Sequence, residues 1–290
     1  HTIAFSGDLH AGLWDRKDTI PAYSHPMIGN NGVAVFSRAI VIVAGMKSLA
    51  DDKDTKTLLY INTISQKGII KRKIPLKEYY SADLRTAVSD DNKIIACGFF
   101  SNDRNTIKPD GIFYLTLDPE AEKYSELKIV DFKTQTPAIE SLTAYVICDV
   151  LVSKEGTVWV IGEKQYGMNS QSTYGDLFVG IFDPKGSFKS ALLIDKEVKV
   201  RQPGSTSFVA RPTYHAQVYN ETLYCFYTDE TAGLTAACVT PSGELKYNRL
   251  KSESNPINDE YFCSPMIDGE SYVICHNGRK EPYFLGRFHL

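Results

Sequence analysis

One pattern recurs along this chain and restricts what it can fold into: an alternating strand, a tight polar turn and a second, more apolar strand. Its fullest instance is 211–230, RPTYHAQVYNETLYCFYTDE, with strands at 212–218 and 223–227 around the turn Tyr219-Asn220-Glu221-Thr222. About five such units can be aligned by their second strands: 38–45 (RAIVIVAG), 92–100 (NKIIACGFF), 156–163 (GTVWVIGE), 222–229 (TLYCFYTD) and 271–277 (SYVICHN). The first strands before them are 30–36, 81–88, 145–152, 212–218 and 261–267. Helical periodicity is nearly absent, and the apolar runs alternate with turn clusters such as Asp90-Asp91-Asn92 and Lys154-Glu155-Gly156. That combination predicts an all-β protein. The 17 Tyr and 14 Phe, against 4 Met, lean the same way.

A third strand follows each pair, at 57–64, 111–118, 176–183, 234–240 and 283–289. In the first four units a fourth strand follows, at 69–76, 126–132, 188–194 and 245–250. Four antiparallel strands repeated at a period of about 50–65 residues resemble the β-propeller architecture. That resemblance covers nearly the whole chain and implies one domain over 1–290. Its blades would lie at about 30–77, 81–133, 143–195, 207–251 and 259–290, with strand 1–6 closing the last blade and 1–29 serving as closing strand and strap. No Trp-Asp or kelch signature accompanies it. The segment 153–159 is only loosely similar to an Asp-box, since Glu155 stands one residue from where an Asp belongs. A β-sandwich accounts less well for four-strand units whose last strands carry Lys.

The fourth strands hold Lys71, Arg72, Lys73, Lys128, Lys189, Lys246 and Arg249. On a blade rim such cations deter edge-to-edge pairing, and the 67–77 cluster is read that way rather than as a binding patch. Net charge is -3, which argues against a nucleic-acid partner. The longest apolar run, 39–46, is too short to span a bilayer.

The resemblance implies that first strands line a central channel. Three positions before the residue preceding each turn stand Arg85, Asp149, His215 and Ser264, with Val33 in the first unit. An alternative register of the first unit would bring His25 there instead. A ring of such groups suits a small polar ligand. The segment 7–26 carries His10, Trp14 and His25 and is placed as a strap over one channel mouth. These residues point to a non-catalytic binding or scaffold module for a carbohydrate, a peptide or a partner protein. A glycan-acting hydrolase is the alternative, with carboxylates drawn from Asp8 or Asp15, Asp83 and Glu140. A structural subunit of a larger assembly is the third reading. No HExxH or GxSxG spacing occurs, so neither a metal, a cofactor nor a serine nucleophile is expected.

Six cysteines are present. Counting outward from the turns places Cys263 opposite Cys275 and Cys225 opposite Cys238, with Cys97 and Cys148 unmatched. The sequon Asn220-Glu221-Thr222 falls on a turn. Together with the first residue being His rather than Met, it gives the expectation of an exported protein.

Overall fold

The computed structural model describes residues 2–4, 17–19, 33–35, 41–47, 58–65, 68–103, 108–136, 139, 142–168, 171–201, 213–229, 233–249, 259–263, 270–276 and 284–289, with side chains over most of 59–248. Its strands form antiparallel sheets that follow one another along the chain. A ribbon of β1 (Thr2–Ala4) and β2 (Lys17–Thr19) comes first. The first sheet is β3 (Val33–Val35), β4 (Val41–Lys47), β5 (Leu58–Ser65) and β6 (Gly68–Pro75). The second is β7 (Tyr80–Ser81), β8 (Arg85–Val88), β9 (Ile94–Ser101), β10 (Gly111–Leu117) and β11 (Lys128–Asp131), with β7 and β8 both pairing with β9; the one-turn helix α1 (Phe132–Gln135) follows it. The third is β12 (Tyr145–Val152), β13 (Val158–Met168), β14 (Gln171–Phe182) and β15 (Phe188–Ile194), with β16 (Val198–Arg201) also on β14. The fourth is β17 (Tyr214–Tyr219), β18 (Thr222–Asp229), β19 (Gly233–Val239) and β20 (Leu245–Arg249). The fifth holds β21 (Asp259–Cys263), β22 (Glu270–His276) and β23 (Phe284–His289).

The strand expected to close the last unit instead pairs nearby: Thr2 lies opposite Thr19, and the fifth sheet has three strands among the described residues. Pairing β1 with a strand nearby in the sequence costs less closure entropy than joining the two chain ends.

Four turns share one five-residue plan, at 89–93, 153–157, 183–187 and 240–244. The first residue's N–H donates to the fifth residue's carbonyl, and its carbonyl accepts from the fourth residue's N–H. Its side-chain oxygen then caps the fifth N–H: Ser89 to Lys93 at 3.1 Å, Ser153 to Thr157 at 3.1 Å, Asp183 to Ser187 at 2.7 Å and Thr240 to Glu244 at 3.1 Å. The fourth residue takes a positive φ in each, as Asn92 or Gly. The first two turns join first and second strands. The others join third and fourth strands.

Alternation inside the strands builds three stacked cores. Along β9, Ile94, Ala96 and Phe100 enter a core shared with Leu59, Ile61 and Ile74 of the first sheet. The intervening Ile95, Cys97 and Phe99 enter a second core with Val158, Val160 and Phe178 of the third sheet. The other face of β13, Trp159 and Ile161, packs with Leu223, Cys225 and Tyr227 of the fourth. Inner sheets are therefore apolar on both faces, which is why their second strands read as continuous hydrophobic runs. Phe99 sits edge-on to Phe178 with centroids 5.5 Å apart. Gly162 makes room for it, since a Cβ there would stand 2.9 Å from the Phe99 Cζ.

The fourth strands divide the basic residues. Lys71 and Lys73 are exposed, but Arg72 is buried. It donates to Thr63 Oγ1 at 3.1 Å and to the Asp118 carbonyl at 2.8 Å, in the turn between β10 and β11 of the next sheet. Lys128 reaches the Lys185 carbonyl in the next sheet's corresponding turn at 2.5 Å. Arg72 is thus a tie between sheets and not edge protection, because the burial alternation of β6 points it inward with Ile74 and Leu76.

Candidate functional site

First strands of successive sheets lie side by side: β3 beside β8, β8 beside β12, β12 beside β17. Three of the four ring residues named from the sequence fall on this row: Arg85, Asp149 and His215. Ser264, His10, Trp14 and His25 lie outside the described residues, as do Asp8, Asp15 and Glu140.

A bulge between Ile147 and Asp149 breaks the β12 register and leaves Cys148 as the extra residue. Arg85 donates from Nε to the Cys148 carbonyl at 3.4 Å and from Nη1 to the Leu84 carbonyl at 3.1 Å. Its Nη2 has no hydrogen-bond partner among the described residues. Asp149 Oδ2 accepts from the Tyr214 hydroxyl at 2.8 Å, across from β12 to β17. Burial holds the His215 imidazole below the usual histidine range, and nearby Asp149 pulls it partly back. His215 is therefore mostly neutral at pH 7, with a donor and an acceptor nitrogen.

Two buried carboxylates flank this group. Asp83 lies just before β8 and is 2% exposed. Its Oδ1 accepts from the Phe99 N–H at 2.7 Å in its own sheet, and Oδ2 from the Ile147 N–H at 2.5 Å in the third. Burial raises its pKa to about 6, against the lowering effect of those two N–H groups and of Arg85. Glu163, at 0% exposure, ends the apolar stretch of β13. Its Oε1 meets Lys196 Nζ at 2.6 Å and the Thr213 hydroxyl at 2.6 Å, while the Thr213 N–H donates to it at 3.2 Å. Gln165 Nε2 holds Oε2 at 3.2 Å. Lys196 is 1% exposed, and burial lowers its pKa while Glu163 raises it. Each carboxylate thus fastens its sheet to the backbone at or just before the next sheet's first strand.

Asp83 belongs to the hydrolase trio expected from the sequence, whereas Glu163 and Lys196 carry no expectation there. The available signal was small: a Glu closing the apolar run GTVWVIGE. Among the described residues no three His, Cys, Asp or Glu side chains converge as metal ligands.

The cysteine pairings are corrected by the register. Cys225 lies opposite Ala237 and Cys238 opposite Tyr224, because the 230–232 loop has three residues. Both are free thiols, as are Cys97 and Cys148. Cys275 lies opposite Tyr261 and Cys263 opposite Val273, a shift of two from direct opposition.

No protein-family model matches the chain, and no curated protein matches it by sequence. Among solved structures it is similar to the polysaccharide lyase Uly1 (TM-score 0.47, 11% identity, 89% of this chain and 57% of that one). It is also similar to the Hadza microbial sialidase Hz136 (0.44, 10%, 90% and 56%). A third is the Aleuria aurantia lectin in complex with Fucα1-6GlcNAc (0.35, 11%, 88% and 74%). The chain spans a little over half the length of the first two. Identities of 10–11% put no residue of this chain into correspondence with one of theirs.

Proposed function

We propose that the chain is a single β-propeller domain of five sheets arranged around an axis, acting as a non-catalytic binding module that holds a polar ligand, a carbohydrate first, at Arg85, Asp149 and His215. The ring arrangement is supported by the adjacent first strands and by sheets that pack on both faces. One observation carries the functional reading. Of the described carboxylates on or beside the first strands, Asp83 is engaged by two backbone N–H groups and Glu163 by Lys196 and Thr213, which leaves Asp149 as a single carboxylate and not one of a free pair. Glycoside cleavage needs a free pair, one protonated and one ionised. Among the described residues, what stays open is a guanidinium edge on Arg85, one oxygen of Asp149 and the His215 imidazole, a set that binds hydroxyls in both directions. Ser264 and the strap residues His10, Trp14 and His25 complete the mouth in this reading, and the protein is exported.

A glycan array followed by thermal shift with the array hits tests it. Wild type gains several degrees with a bound glycan, and Asp149→Ala and Arg85→Ala gain none. Absence of any ligand shift in wild type sinks the reading, and release of sugar from array glycans would make the protein an enzyme instead.

A further inference from the structure

A cleft of 280 Å3 lies between the second and third sheets, at the end where first strands turn into second strands. Its walls are the 89–93 and 153–157 turns, both built on the capped five-residue plan. The exposed Pro184 is its apolar wall, over a floor of the buried Ile95 and Tyr114. Asp90, Lys154 and Glu155 stand at its edge, exposed, and their side chains make no hydrogen bond or ion pair with a described residue. By contrast Asp91 is spent on Lys93 and Ser89.

From these features we infer that the cleft is a second binding site, for a single polyhydroxylated ring such as one monosaccharide unit. Its volume holds roughly nine waters at about 30 Å3 each, enough for one hexose with its hydroxyls. Two carboxylates accept hydroxyl donors and one ammonium donates to a hydroxyl, while Pro184 takes the ring C–H face. The capped turns hold the walls in place before binding, so little ordering entropy is lost there. The site is separate from the Arg85–Asp149–His215 group and does not depend on it.

The test is a 15N amide titration with methyl α-glucoside, methyl β-galactoside, methyl α-mannoside and N-acetylglucosamine. At least one sugar shifts the amides of 89–93 and 153–157 saturably, and Asp149→Ala leaves that response unchanged. The Asp90→Asn, Glu155→Gln double variant replaces exposed groups and keeps the fold by circular dichroism. It weakens binding about tenfold or more, as expected for losing two charge-assisted hydrogen bonds. No saturable shift at those amides overturns the proposal. So does an unchanged response in the double variant, or a response that Asp149→Ala abolishes, and the last of these would leave the proposed function standing.

Discussion

The two joints on either side of the third sheet do the same mechanical work with different chemistry. Between second and third sheets, Asp83 holds Phe99 and Ile147 through backbone N–H groups alone. Between third and fourth, Glu163 is matched by a buried ammonium as well as by Thr213. The first joint places an acid among neutral donors, so its proton equilibrium is shifted up to about 6. In the second, each charge offsets the other's desolvation. A buried carboxylate can thus fasten a sheet either as a titratable group or as half of an ion pair.

The largest effect is expected at the ion pair. Lys196→Met leaves Glu163 charged and unpaired at 0% exposure, and should cost about 3–5 kcal/mol by urea denaturation. Adding Glu163→Gln removes the orphan charge and keeps an acceptor for Thr213, so most of the loss should return. If the double variant is as unstable as the single, the pair does more than cancel its own burial.

At the other joint, the folded pKa of Asp83 stands above the unfolded 3.8, at about 6. The sign follows: its contribution is fully present below 3.8 and is lost as pH rises through about 6. The integrated change is on the order of 3 kcal/mol. His215 works in the opposite direction, because its folded pKa is lowered. Its contribution is present above 6.5 and is lost as pH falls through the folded value. Urea midpoints between pH 4 and 8 should therefore rise less toward acid in wild type than in His215→Gln. In Asp83→Asn the acid-side rise should disappear, along with about 1–3 kcal/mol at all pH values from one backbone N–H facing an amide donor. A profile unchanged by Asp83→Asn would mean that another group titrates.

These joints also mark where sequence reading stops. The repeating strands were legible because alternation on two buried faces leaves continuous apolar runs such as 94–100. The turns carry a readable signature too: Ser, Thr or Asp, then Gly or Asn three residues later. Asp83 was visible as a carboxylate, but its acceptor role for Ile147 depends on a residue 64 positions away. Lys196 beside Glu197 reads as a solvated pair of charges, because Lys is almost never fully buried unless paired. The cysteine register failed for a smaller reason, since the loop lengths set the pairing and neither is fixed by composition.

Smaller effects separate the joints from the first-strand group. Tyr214→Phe removes the donor to Asp149 Oδ2 and should cost about 1 kcal/mol. Arg85→Gln should cost less, within about 0.5–1 kcal/mol. Among the described residues its half-buried guanidinium hydrogen-bonds only two backbone carbonyls, one of them at 3.4 Å. Water can take over those acceptors, which is not possible at Lys196. Thermal shift with an array-identified glycan should nonetheless lose its response in Arg85→Gln, while Lys196→Met with Glu163→Gln keeps it. The opposite outcome, a stable fold that needs Arg85 and a ligand response that does not, would move Arg85 into the fasteners and leave Asp149 and His215 to bind alone.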